Sequence, residues 1–68
     1  MGELIIRNQK LYKLRKKRGE TQEEVAESVG VSASAYCMYE TGSRTPSPEV
    51  MKRLAKHFDR TVQFLFFS

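Results

Sequence analysis

The sequence predicts an all-α domain of short helices, and three observations lead there. Serine or threonine stands just ahead of an apolar-periodic segment at Thr21, Ser32, Ser47 and Thr61, where a hydroxyl can cap a helix N-terminus. Gly19, Gly30 and Gly42 each close such a segment, since glycine enters the left-handed region without a Cβ penalty. Apolar residues also recur at helical spacing, as in Val25, Ala26 and Val29, or Val50, Met51, Leu54, Ala55 and Phe58. No repeat, low-complexity stretch or linker divides the 68 residues, so one domain is expected over 1–68.

The first helix is expected from about Asn8, its cap, to Arg18, with Leu11 and Leu14 as its apolar stripe, Ile6 packing below its start and Gly19 stopping it. Residues 1–7 stay open: Glu3-Leu4-Ile5-Ile6 suits a short strand or an ordered arm, and an exposed apolar arm needs a partner. The second helix runs from about Gln22 to Val29. Thr21 and Glu24 form a capping box at its start, Val25, Ala26 and Val29 make its inner face, and Gly30 ends it. Val31 follows, and Ser32 caps a third helix from about Ala33 to Glu40. Ala35, Tyr36 and Tyr39 point inward there, and Ala33, Ser34, Cys37 and Met38 share the other face.

Gly42 ends the third helix and opens a loop, Gly42-Ser43-Arg44-Thr45-Pro46. Ser47-Pro48-Glu49 then combines a cap, a proline at the first helical position and an acid in the first turn, which is a strong helix start. The fourth helix carries Val50, Met51, Leu54, Ala55 and Phe58. Asp59 and Arg60 connect it to a last short helix, capped by Thr61 and running from Val62 to about Phe67, with Val62, Leu65 and Phe66 completing the core.

Composition narrows the functional classes. A single cysteine allows neither an internal disulfide nor a cysteine metal site. Neither a signal peptide nor a run of transmembrane length is seen, so a soluble, cytoplasmic protein with no membrane partner is expected. The formal net charge of +4 suits a polyanionic partner. Seven of the twelve basic residues lie in Arg7–Arg18, and four of the eight acids fall in Glu20–Glu27. Both clusters also fit solvated helix faces, and the acids suit the positive end of the second helix dipole.

Thr21–Gly42 therefore reads as helix, three-residue turn, helix. This is the helix-turn-helix pattern, which places its second helix in the major groove of DNA. The chain resembles the phage repressor/Cro-type (Xre-type) regulators. The resemblance is carried by Leu14-Arg15, Gly19, Thr21-Gln22-Glu23-Glu24-Val25-Ala26, Gly30-Val31-Ser32, Tyr39-Glu40, Gly42, Arg44, Pro46-Ser47 and Leu54-Ala55, across roughly Leu11 to Phe66. Each fragment alone is weak, and together, in order and at that spacing, they are specific for the fold. The resemblance implies a compact five-helix, lambda-repressor-like domain, usually a homodimer on a pseudo-palindromic operator, that represses or activates transcription. It implies no cofactor and no catalysis.

The resemblance also assigns site residues. Gln22 is expected to bond a DNA phosphate and brace the reading helix, as suits an amide at a helix N-terminus. Ser32, Ala33, Ser34, Cys37 and Met38 sit where similar proteins face the DNA. Arg44 and Thr45, in the loop before the fourth helix, are expected to hold a phosphate. Arg15 and Glu40 are expected to form a partly buried ion pair, so that Arg15 supports the reading helix without touching DNA. The reading face departs from expectation because it lacks the Arg, Gln or Asn that bond guanine or adenine bidentately. Two explanations stay open: specificity resting on DNA shape and phosphate register, or a domain that binds protein.

Other residues carry weaker signals. Cys37 has no resolving partner for a redox role. His57 lacks a second ligand in sequence and is expected on the surface of the fourth helix. Glu20 replaces the apolar residue that the family usually places before the threonine, at some cost in packing. Phe64 and Phe67 point away from the core and suggest a dimer interface. No nucleophile-elbow or metal spacing joins Ser, His and Asp, so an enzyme is not expected. The leading expectation is a homodimeric repressor on double-stranded operator DNA. The alternative is a protein-interaction module on the same fold, such as an antitoxin-like partner or the target of an anti-repressor.

Overall fold

A computed structural model describes residues 9–67. The Asn8 cap, the Glu3-to-Ile6 strand or arm and the Ile6 contact fall outside them. Five α-helices follow in order among the described residues: α1 (Gln9–Arg18), α2 (Gln22–Val29), α3 (Ala33–Thr41), α4 (Pro48–Phe58) and α5 (Val62–Phe66). None is long and apolar enough to cross a membrane.

Local chemistry sets most of these boundaries. At α2 the Thr21 hydroxyl accepts from the Glu24 N–H at 3.0 Å, and the Thr21 N–H donates to the Glu24 carboxylate at 2.8 Å. This closes the capping box and satisfies two donors that a helix start leaves unpaired. Ser32, Ser47 and Thr61 accept from the N–H three residues on, at 3.0, 3.3 and 3.0 Å. Gly30 closes α2 at φ +79°, and the Val31 N–H donates back to the Ala26 carbonyl at 3.0 Å. The end of α4 has no glycine: Asp59 takes the left-handed conformation itself, at φ 57°. Among non-glycine residues Asp and Asn pay least there. Two boundaries differ by one residue from the sequence reading, α3 extending to Thr41 and α5 stopping at Phe66.

The core draws on every helix: Leu11 from α1, Val25, Ala26 and Val29 from α2, Tyr36 and Tyr39 from α3, Leu54, Ala55 and Phe58 from α4, and Leu65 from α5. Tyr36 and Tyr39 meet edge to face, with ring centroids 6.4 Å apart. Ala33, placed on the outer face by spacing alone, packs partly against this core, and so does Ala35. Pro46 is buried and pins the loop between α3 and α4.

Candidate nucleic-acid interface

The two helices of the Thr21–Gly42 segment are held at a fixed turn. Gly30 reverses the chain, Val31 packs against the core, and Ser32 begins α3 with its hydroxyl engaged by the Ala35 N–H. This anchors α3 by its inner residues, Tyr36, Tyr39 and Glu40. Its outer surface presents Ser34 and Met38, the latter 39% exposed. Ala33 and Cys37 are half-buried at the margins, and Cys37 is a free thiol. The Ser32 hydroxyl still has its proton to donate outward while its oxygen caps the helix.

Arg15 reaches from α1 into the end of α3. Its Nε lies 2.6 Å from Glu40 Oε2 and its Nη2 3.2 Å from Oε1, a two-pronged ion pair that is nearly closed to solvent. Its remaining prong, Nη1, donates to the backbone carbonyl of Glu20 at 3.0 Å. The pair raises the Arg15 pKa, chiefly through the hydrogen bond to Glu40. Burial is the largest single influence and pushes Glu40 upward, but Arg15 together with Tyr36 and Gln22 outweighs it and holds the carboxyl below its ordinary value. The Tyr36 hydroxyl is buried with no partner at hydrogen-bonding geometry. Burial first, and then the neighbouring Glu40 charge, raise its pKa far above the ordinary tyrosine value.

Gln22 joins the same cluster, its side-chain Nε2 donating to Glu40 Oε1 at 3.0 Å. Its carbonyl oxygen only accepts, so a phosphate at this helix start would have to meet the backbone N–H groups or the amide's second N–H. Two surface clefts adjoin at Arg15 and Gln22. One, of about 540 Å³, is lined by Lys16 and residues 19–23, and the other, of about 160 Å³, by Tyr12, Glu40 and Thr41. Lys16 belongs to the basic run read from the sequence, whereas Tyr12 was not singled out there; it lies three residues before Arg15 on the same face of α1, and that helical spacing was the signal that could have found it. Tyr12 is 41% exposed and lies under the Arg15 guanidinium, 5.5 Å from ring centroid to cation.

The loop after α3 folds back onto that helix. The Ser43 and Arg44 N–H groups donate to the Met38 carbonyl at 3.1 and 3.3 Å, and the Thr41 and Ser43 hydroxyls lie 2.9 Å apart. The Arg44 and Thr45 side chains are exposed beside the α4 start.

Phe64 lies on α5, which packs on α4, and Phe67 caps the end of that helix. They are 41% and 66% exposed. The Lys10 ammonium lies 4.8 Å over the Phe64 ring and donates to the Phe64 carbonyl at 2.9 Å.

Two expectations are corrected. His57 is not a freely exposed surface residue but half-buried: its Nε2 lies 3.0 Å from Glu20 Oε1, and its side chain is 14% exposed. Glu20 is not a packing defect, because its carboxylate also accepts from Arg18 Nε at 3.1 Å. Burial raises Glu20, but the bonds from His57 and Arg18 prevail and hold its pKa below the ordinary value. Among the described residues no three His, Cys, Asp or Glu groups come together as metal ligands could.

The family described as "Helix-turn-helix" matches residues 11–65. The cryptic phage CTXphi transcriptional repressor RstR of Vibrio cholerae is 41% identical over 49 residues, 72% of this chain and 44% of that protein. The chain spans about half the length of the curated relatives it matches. Among solved structures, the SinR/SinI protein complex aligns with a TM-score of 0.81 at 25% identity, over 93% of this chain and 62% of the other. The restriction-modification controller protein C.AhdI of Aeromonas hydrophila aligns with a TM-score of 0.78 at 32% identity, over 87% and 89%.

Proposed function

Since the chain belongs to the helix-turn-helix family of phage repressor/Cro-type regulators, we propose that it is a cytoplasmic DNA-binding transcriptional regulator, acting as a homodimeric repressor on a pseudo-palindromic operator. The observation that carries the reading is the seating of α3. It is capped at Ser32, fastened at its far end through Glu40 to Arg15, and turns Ser34 and Met38 outward. In this reading α3 enters the major groove. Ser34 bonds a base edge, and Ala33, Cys37 and Met38 supply apolar contact of the kind that suits thymine methyls. Gln22, Ser32, Arg44 and Thr45 hold phosphates on either side and set the register. Because no side chain on α3 makes a bidentate base contact, much of the affinity comes from phosphates and much of the specificity from DNA shape.

A selection of bound sites from a random DNA pool tests this, and a two-fold symmetric site with half-sites about one helical turn apart is the expected result. Arg44→Ala should weaken every sequence alike and reduce the slope of log affinity against log salt by about 1. Recovery of no preferred site, or binding that ignores salt, contradicts the proposal.

The exposed rings of Phe64 and Phe67 support a second reading, a module that binds another protein through α5. The SinR/SinI neighbour is itself a complex of two proteins. A heteromeric complex that survives high salt and buries both phenylalanines would favour this reading.

A further inference from the structure

We infer that His57 is a positioning residue for DNA binding, acting through Glu20 on the polar network that seats Gln22 and the end of α3. The inference rests on the DNA-binding reading above. It begins with the Glu20 carboxylate, which is half-buried at the turn before α2. A partly buried carboxylate is costly unless it is paired, and Glu20 is paired from two elements: Arg18 at the end of α1 and His57 on α4. Residues 20 and 57 lie 37 positions apart, so the pairing exists only in the folded chain.

The contacts continue without a gap. His57 Nε2 meets Glu20 Oε1 at 3.0 Å, and Arg15 Nη1 grips the Glu20 carbonyl at 3.0 Å. The same guanidinium forks onto Glu40, whose Oε1 accepts from Gln22 at 3.0 Å. Joined through the covalent frame of Glu20, these bonds link α4, the turn before α2, α1, α3 and the DNA-facing start of α2. The His57 ring is also fixed on its other side, edge to face with Phe58 at 4.8 Å, and Arg18 lies 5.9 Å over the Phe58 ring. A carboxylate only accepts, so His57 presents a proton on Nε2, as the protonated ring or as that neutral tautomer. Without His57, Glu20 keeps only Arg18, whose side chain is 44% exposed. Arg15 holds the Glu20 peptide, so a shift of the turn passes directly to the Arg15–Glu40 fork and to Gln22.

The test compares the full chain with His57→Phe, which keeps a ring against Phe58 but loses the donor, and His57→Gln, which keeps a donor. Two readouts are taken below the melting transition of each variant: the side-chain amide resonances of Gln22 without DNA, and affinity for a mixed-sequence duplex at low salt. His57→Phe should move the Gln22 resonances and weaken binding by about threefold to tenfold, and His57→Gln should restore both to within about twofold. Unmoved Gln22 resonances in folded His57→Phe, or equal losses in the two variants, overturn the inference. If the parent chain binds no duplex, the DNA reading fails and the Gln22 resonances alone decide the positioning role. Should His57→Phe not fold, Glu20→Leu is read in the same way. If neither folds, the network is a folding requirement and the inference falls.

Discussion

Arg15 and Glu40 bring opposite charges into an interior that is otherwise apolar, and each is tolerable there only because of the other. Breaking such a pair by removing one partner typically costs about 3–5 kcal/mol, because the remaining charge stays buried and uncompensated. A domain of this size has a total stability of about 3–10 kcal/mol, so Arg15→Met should leave the chain close to unfolding at neutral pH. The pH dependence follows from Glu40, whose folded pKa is lowered from 4.5. Its contribution is complete above the unfolded value and is lost as pH falls through the folded one. Glu20 is shifted in the same direction and adds to the loss below about pH 4.5. In Arg15→Met the stranded Glu40 can take up a proton, which relieves its burial. The stability gap between parent and variant should therefore narrow on acidification, as read from urea midpoints at pH 7 and pH 4. A gap that is constant or widens toward acid would show that the pair is not the source of the difference.

The helices were legible because their ends are written in adjacent residues. The capping box at Thr21 and Glu24 spans three positions, and the serine and threonine caps of α3, α4 and α5 reach no further. Asp59 was read as the start of the connection after α4, but its left-handed conformation was not legible, since nothing local marks an aspartate for it. Nor was the Glu20–His57 contact, because it forms only when α4 packs beside the turn; alone, Glu20 read as a departure and His57 as an ordinary surface residue. Arg15–Glu40, 25 residues apart, was read through resemblance rather than from spacing. Gly19 and Gly30 both have positive φ, +72° and +79°, yet a Cβ on Gly19 meets nothing within 4 Å while one on Gly30 lies 3.0 Å from Arg53 Nη1. Gly19→Ala should cost only backbone strain, about 1–2 kcal/mol. Gly30→Ala should cost that and more, because Arg53 must move away from the Val29 carbonyl that it now reaches at 3.4 Å. Urea unfolding of the two variants should rank Gly30→Ala as the less stable, and equal stabilities would mean that Arg53 adapts freely.

At the scale of the whole molecule, a domain 35 × 23 × 23 Å in extent offers one copy of α3 to DNA. Two copies joined by a two-fold axis would offer two, and the half-site spacing of about 34–36 Å is comparable to the size of the domain. The axis would therefore pass through a face that two copies can share without covering α3. The α5 face meets that requirement in composition: Phe67 is 66% exposed, and Phe64 shows 41% of its surface with the Lys10 ammonium over its ring. A two-fold interface is self-complementary, so one introduced charge appears twice and close to itself. Phe67→Glu should accordingly place two carboxylates near the axis and shift the protein to monomer by sedimentation equilibrium, while its circular dichroism spectrum and melting temperature in dilute solution stay close to the parent's. Binding to a full operator should weaken and lose its steepness with protein concentration, whereas the weak affinity for an isolated half-site should stay within about twofold, since only the linkage between sites is removed. A variant that remains dimeric and binds the full operator like the parent would move the axis to another face of the domain.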